Sequence, residues 1–203
     1  MEELRELAKK LLQEKQVNAV VGYECDRRGV RPAFVDDPAG CDRLVFDHRC
    51  VQNLPAYLSP RRTNVAGLGR LAVVVKQCDA RAVAGLIRES QLKRENLVLI
   101  GVRCGGVAAN PNESRELGAE TLALRCYGCS GTETAMADYV VGEPKTVPAA
   151  GGDRDARLAE IEKMSPEERL ALWKEWLSRC TRCHACRQVC PMCFCERCVA
   201  EKT

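Results

Sequence analysis

The sequence predicts an α/β fold in which a small parallel-sheet domain is followed by a helical segment and a cysteine-rich C-terminal segment. Two apolar runs, residues 71–76 and Leu97–Val102, are rich in aliphatic and β-branched residues, which is typical of strands buried on both faces. Between them, residues 80–91 carry apolar side chains at helical spacing, with Asp79 as the expected N-cap. A strand, a helix and a strand at this distance form a βαβ unit, so the two strands should run parallel.

Shorter elements are expected before this unit. Residues 2–15 place leucine and alanine at helical spacing, which predicts an amphipathic helix. Residues 18–23 form an apolar run that predicts a strand. Four prolines punctuate residues 24–62, so we expect an irregular, exposed segment there, with a short strand at 44–46 and a short helix near 52–57.

After the βαβ unit the sequence becomes less regular. Residues 105–130 predict a loop with a short helix at 114–117. Residues 137–141 predict another strand, and residues 143–153 have the composition of a linker.

Two helices are predicted next, at residues 153–163 and 166–178. The second begins with a capping box, in which Ser165 is followed three residues later by Glu168. The tryptophans of this helix, at positions 173 and 176, are expected to pack onto the α/β domain.

These patterns divide the chain into three parts. Residues 1–150 are expected to form the α/β domain, residues 151–179 a helical linker, and residues 180–203 the cysteine-rich segment.

Composition argues against several functional classes. The net charge of the 203 residues is +3 and no run of lysine and arginine stands out, so no nucleic-acid partner is expected. No apolar stretch approaches the length of a membrane span. The N-terminal sequence is a charged helix pattern and differs from a signal peptide, so we expect a cytoplasmic protein.

Cysteine is unusually frequent, with 14 residues in the chain. A secreted disulfide scaffold would be shorter and would carry a signal peptide. In a cytoplasmic chain, this many cysteines favour metal binding over disulfides.

The strongest motif is a run of cysteines in the C-terminal segment, where Cys180, Cys183, Cys186 and Cys190 have the spacing x2, x2, x3 and are followed by a proline. This is the spacing of bacterial ferredoxins, in which three closely spaced thiolates bind one 4Fe-4S cluster and the fourth cysteine ligates the other cluster of a pair. The competing interpretation is a zinc knuckle, which normally uses two pairs of ligands.

Three further cysteines, Cys193, Cys195 and Cys198, bring the segment to seven. Either one cluster forms and three thiols remain, or a second cluster takes one ligand from elsewhere in the chain, from His184 or from a partner protein.

A second set of cysteines belongs to the α/β domain. Cys78 and Cys104 each follow a predicted buried strand, and the carboxyl ends of parallel strands meet at the edge where ligands bind. Cys126 and Cys129 form a CxxC pair in the loop beyond. We expect these four to hold a second cluster; the alternative is two buried thiols and a zinc or redox pair. Cys25, Cys41 and Cys50 show no ligand spacing.

Two stretches resemble a known family, the iron–sulfur beta subunits of formate dehydrogenases and deazaflavin-reducing hydrogenases, of the type associated with heterodisulfide-reductase-like complexes. They are VVVKQCDARAVAGLIRESQLKRENLVLIGVRCGGV and the tail SRCTRCHACRQVCPMCFCERC, and the resemblance extends from about Asn18 to Cys198. It implies an oxidoreductase subunit, with the same eight cysteines as candidate cluster ligands. We expect anaerobic metabolism because exposed cubanes are sensitive to oxygen. Larger members bind FAD, whereas no segment here matches a flavin-binding motif.

The sequence therefore predicts an electron-transfer subunit with two 4Fe-4S clusters, or three if the tail completes a second one. Its partners would be the other subunits of a formate dehydrogenase, hydrogenase or heterodisulfide-reductase-like complex. The first alternative is an enzyme that holds FAD and itself reduces a soluble electron carrier. The second is a structural zinc protein that bridges subunits.

Overall fold

A computed structural model describes residues 1–59, 67–129, 136–149 and 154–195. In these residues, five strands form one sheet in the order β2-β1-β3-β4-β5. The strands are β1 (Ala19–Asp26), β2 (Gly29–Val35), β3 (Leu71–Val75), β4 (Leu97–Val102) and β5 (Tyr139–Val141). The helices are α1 (Glu2–Gln13), α2 (Gln77–Arg88), α3 (Arg154–Lys163), α4 (Pro166–Ser178) and α5 (Ala185–Val189).

The predicted βαβ unit is present, and the α/β class is confirmed. β3 pairs in parallel with both β1 and β4, and β5 extends the parallel part of the sheet. All five residues of β3 are buried, as are all six of β4, because α-helices and loops cover both faces.

The predicted helix cap was wrong. α2 begins at Gln77, three residues earlier than expected, so Asp79 lies inside the first turn and Lys76 is the N-cap. The Asp79 carboxylate accepts a hydrogen bond of 3.1 Å from the backbone N–H of Lys76. A carboxylate in the first turn satisfies a backbone donor that the helix leaves free, so this placement is also stabilising.

Of the segment 24–62, which was expected to be irregular and exposed, the structure describes residues 24–59. The expectation of an irregular chain was wrong for Gly29–Val35, and the expectation of exposure was wrong for much of the rest. β2 forms an antiparallel hairpin with β1, in a register that pairs Tyr23 with Pro32. β2 is an edge strand, where a proline is tolerated because one side of the strand needs no ladder hydrogen bond. Much of the following segment is also buried, including Cys41, Leu44, Cys50, Leu54 and Leu58.

Of the three short elements predicted, one is present and two differ from the structure. Residues 54–57 form a 3-10 turn, as expected for the helix near 52–57. The expected strand at 44–46 is reduced to one bridge between Leu44 and Glu24. Residues 114–117 contain no helical turn.

Both helices of the predicted linker form, and α4 begins with the predicted capping box. Its tryptophans were expected to pack onto the α/β domain, but both remain exposed. Trp173 is 47% exposed and Trp176 is 45% exposed, and the two rings pack edge to face with centroids 5.1 Å apart.

Within the described parts of the chain, no helix combines the length and hydropathy needed to cross a membrane.

Truncation of Leu99 on the central strand β4 is expected to destabilise the fold strongly. Its side chain is fully buried. Leu99→Ala should lower the free energy of unfolding by about 2–5 kcal/mol, because the neighbouring side chains cannot fully close the cavity that the truncation leaves. Urea unfolding followed by circular dichroism measures this change. Leu158→Ala, on the exposed side of α3, is the control and should cost no more than about 0.5 kcal/mol. Equal losses in both variants would contradict the assignment of the core.

Candidate functional site

The carboxyl ends of β3 and β4 lie side by side, and the first two candidate cysteines follow them directly. Cys78 lies in the first turn of α2, three residues beyond the end of β3. Cys104 lies two residues beyond the end of β4. Because β3 and β4 are parallel neighbours, both thiols lie at the edge of the sheet where α/β proteins bind ligands.

The loop after β4 returns to the same edge and brings Cys126 with it. Residues 107 and 123 are joined by a backbone hydrogen bond of 2.8 Å, and residues 124–126 form a 3-10 turn. Cys126 packs against a small apolar cluster that contains Cys104 and Val107. Thus two of the predicted ligands, far apart in sequence, pack in one place.

The electrostatics of these thiols show the same convergence. Burial raises the pKa of Cys78 to about 11, and the charges of Asp79, Cys104 and Cys126 add to the rise while Lys76 opposes it. Cys78 is accessible to solvent, but the surrounding protein displaces much of the water from its sulfur. Burial likewise raises the pKa of Cys104, with Cys126 contributing in the same direction.

Cys129 follows Cys126 by one turn, and its backbone N–H donates to the Cys126 carbonyl at 3.1 Å. Its side chain is exposed. Across residues 1–59, 67–129, 136–149 and 154–195, no three His, Cys, Asp or Glu side chains are arranged as a ready set of metal ligands. The edge therefore gathers the thiols of Cys78, Cys104 and Cys126 without fixing them in a coordination geometry.

Lys76 occupies the centre of this edge and was not singled out as a site residue from the sequence. Its side chain is only 4% exposed, and its Nζ lies 2.9 Å from Asp79 Oδ2. The ammonium also donates to the carbonyls of Cys50, at 3.2 Å, and Gln52, at 2.9 Å, and to the hydroxyl of Tyr23. The signal that could have revealed it is a charged residue directly after a buried strand, where the carboxyl edge begins.

The C-terminal segment carries its cysteines on a short loop and on α5. The loop has two non-glycine residues in the left-handed region, Arg182 and His184. This conformation directs backbone donors at sulfur: the N–H of Arg182 donates to Cys180 Sγ at 3.4 Å. The pKa of Cys183 is lowered, first by a hydrogen bond from the Ala185 N–H and then by the Thr181 hydroxyl.

The remaining cysteines of the segment lie around α5 and beyond it. Cys186 lies within the helix, and Cys190 is the residue that ends it. The N–H of Cys193 donates to the Cys190 carbonyl at 3.2 Å, and Arg187 donates to the Cys195 carbonyl at 2.9 Å. Cys198 lies outside the described residues.

A cavity of about 580 Å³ lies between the carboxyl edge of the sheet and α5. Cys78, Lys76 and Asp79 contribute to one side of it, and Gln188 and Val189 of α5 contribute to another. These two α5 residues lie between Cys186 and Cys190 in the sequence. The cysteine-rich segment therefore packs over the carboxyl edge of the sheet.

A second contact supports this packing. Met192 lies against α2, where its sulfur is 3.2 Å from the position that a Cβ at Gly85 would take. A side chain at position 85 would make a tight contact with this sulfur, so the glycine eases the close approach of Met192 to α2.

The three cysteines without ligand spacing lie elsewhere. Cys25 is exposed, whereas Cys41 and Cys50 are buried. Cys50 Sγ accepts a hydrogen bond of 3.3 Å from the Asp47 N–H, and burial raises its pKa to about 12.

The pKa differences predict the order of thiol alkylation in metal-free protein. At pH 8, Cys50 and Cys78 remain protonated because their pKa values are raised, whereas the lowered pKa of Cys183 favours the reactive thiolate. Brief iodoacetamide treatment and peptide mass spectrometry should show Cys183 modified before the other two. Faster modification of Cys50 would contradict this order.

No family model matches this sequence. It is 23% identical to the F420-dependent formate dehydrogenase subunit beta of Methanocaldococcus jannaschii, in an alignment that covers 66% of this chain and 57% of the relative. The chain thus spans a little over half the length of that relative.

A solved structure, that of the xenon-derivatised F420-reducing NiFe hydrogenase complex from Methanosarcina barkeri, aligns with a TM-score of 0.44 and 11% identity. The alignment covers 52% of this chain and 38% of the hydrogenase chain.

Proposed function

We propose that this protein is an electron-transfer subunit of a multi-subunit oxidoreductase and relays electrons between two 4Fe-4S clusters. The observation that carries the proposal is the cavity at the carboxyl edge, because it places Cys78 and the α5 segment between Cys186 and Cys190 around one space. Clusters bound at two adjoining sites would be close enough for electrons to pass within the chain.

The proposed tail cluster is held by Cys180, Cys183, Cys186 and Cys190. Two features besides spacing favour it. Backbone N–H groups already point at the sulfurs of Cys180 and Cys183, and such hydrogen bonds stabilise thiolate ligands and tune cluster potentials. If a further cluster forms in the same segment, its candidate ligands are Cys193, Cys195 and Cys198.

The proposed second cluster is held by Cys78, Cys104, Cys126 and Cys129. The first three share the carboxyl edge, and Cys129 follows on the exposed loop of the same CxxC pair. Iron binding would have to displace protons from thiols whose pKa is raised by burial, so assembly at this site should be favoured at higher pH. In this proposal the α/β domain of residues 1–150 and the segment of residues 180–203 hold one cluster each.

The proposed partners are other subunits of the redox complex, either a catalytic dehydrogenase or hydrogenase or another iron–sulfur subunit. The similarity to a subunit named as part of a formate dehydrogenase supports this choice. The cytoplasm is the proposed location, because cysteines intended as cluster ligands must stay reduced.

A second candidate function is favoured by the same cavity. A cavity of about 580 Å³ lies in the range that binds small organic ligands, and its lining combines apolar side chains with buried polar groups. FAD bound there would make this chain an enzyme that reduces a soluble carrier itself.

Element and flavin analysis separates the candidates. Anaerobically purified protein with about eight irons, matching acid-labile sulfide and no flavin would support the two-cluster relay. Stoichiometric flavin, released by denaturation and read from its absorbance, would favour the enzyme. Zinc without iron would overturn both and leave a structural zinc protein.

A further inference from the structure

Lys76 is the most constrained charged residue of the carboxyl edge. Its ammonium is enclosed by Asp79, Tyr23 and the carbonyls of Cys50 and Gln52, which come from three different parts of the chain. Burying a lysine is costly unless its charge is compensated and its donors are satisfied. Surroundings that satisfy it this fully hold the positive charge at one place on the wall of the cavity that Lys76 shares with Cys78.

Lys76 lies close to one of the candidate ligands. It precedes Cys78 by two residues, and the two side chains line the same cavity. Arg125, whose guanidinium donates to the Val51 carbonyl at 2.8 Å, adds a second positive charge that acts on Asp79. Among the described residues that line this cavity, the charged ones are therefore two cations and one carboxylate.

We propose that Lys76 is the fixed counter-charge that sets the reduction potential of the cluster at the α/β edge. A cluster with four thiolate ligands is anionic and gains a further negative charge on reduction, so a buried cation nearby stabilises the reduced form. The proposal rests on the proposed function, in which Cys78 and Cys104 are cluster ligands. Lys76 acts through the cluster's surroundings and is a positioning residue, not a catalytic one.

The proposal makes different predictions for the two clusters of one protein. The tail cluster takes its ligands from a separate segment, so it serves as an internal reference. Lys76→Met should make the edge cluster harder to reduce. We expect its equilibrium constant for reduction to fall by at least about tenfold, which lowers the reduction potential by about 59 mV for one electron. The tail cluster should keep its potential.

A redox titration of the whole protein, monitored by electron paramagnetic resonance at pH 8, measures both potentials. Lys174→Met, on the exposed surface of α4, is the matched control and should move neither. Asp79→Asn should move the edge cluster in the opposite direction, because it removes the negative charge that offsets Lys76. Lys76→Arg keeps the positive charge, so its edge cluster should have a reduction potential close to that of the wild-type protein.

Each outcome decides the proposal. An unchanged edge potential in Lys76→Met, or an equal shift of both clusters, would overturn it. If Lys76→Met loses its edge cluster, Asp79→Asn decides, and a potential that does not rise would overturn the proposal. Failure of the proposed function is distinguishable, because wild-type protein would then show no edge cluster at all.

Discussion

Replacement of Cys78 by serine is expected to remove the edge cluster and leave the tail cluster in place. Iron should fall from about eight to about four per chain, with an equal loss of sulfide, because a cubane with three strong ligands is readily lost. Cys78 lies in the first turn of α2, where it is exposed on the wall of the cavity, so the substitution removes a ligand without opening the core. Anaerobic iron and sulfide analysis measures the effect.

Cys25→Ser is the matched control for this variant. Cys25 is also exposed, on β1, and lies outside both proposed ligand sets. It should keep the full iron content. Unchanged iron in Cys78→Ser would remove Cys78 from the ligands and, with it, the second cluster of the relay.

Replacement of Cys183 should have the complementary effect on the tail. Its thiol has a lowered pKa because the Ala185 N–H and the Thr181 hydroxyl donate to it, so it is the tail sulfur best prepared to bind iron. Cys183→Ser should again leave about four irons per chain, now with the spectrum of the edge cluster alone. Electron passage between sites should cease, because only one site remains.

The double variant Cys78→Ser with Cys183→Ser tests whether the two losses are independent. It should retain almost no iron while the α/β fold persists, since neither side chain belongs to the hydrophobic core. Iron that survives in the double variant would show that the remaining cysteines, with Cys193, Cys195 and Cys198 among them, can hold a cluster without Cys78 and Cys183.

The sequence was sufficient to predict the centre of the fold. β3, α2 and β4 followed from aliphatic runs separated by a helical pattern, since these elements are fixed by local periodicity and burial together. β2 was missed because its proline and arginine resemble loop composition. Its stability comes from pairing with β1, which no local pattern of residues 29–35 reveals.

The candidate site was predictable in part for a similar reason. Parallel neighbouring strands bring Cys78 and Cys104 to the same edge of the sheet independently of the loop conformations. The topology alone was therefore sufficient to predict that edge for both. The enclosure of Lys76 depends on Tyr23, 53 residues away in sequence, and on backbone carbonyls such as that of Cys50, 26 residues away. The spacing of residues along the sequence carries no information about such contacts. Packing of α5 over the cavity is likewise a tertiary contact without a sequence signal.

The most direct test of the relay is spin quantitation of the fully reduced protein by electron paramagnetic resonance, without oxygen. Two reduced clusters at adjoining sites predict about two spins per chain, with signals broadened by their mutual interaction. The interaction should vanish in Cys78→Ser and in Cys183→Ser, leaving one simple signal in each. A single spin in the wild-type protein, or two signals that never interact, would contradict a relay through neighbouring clusters.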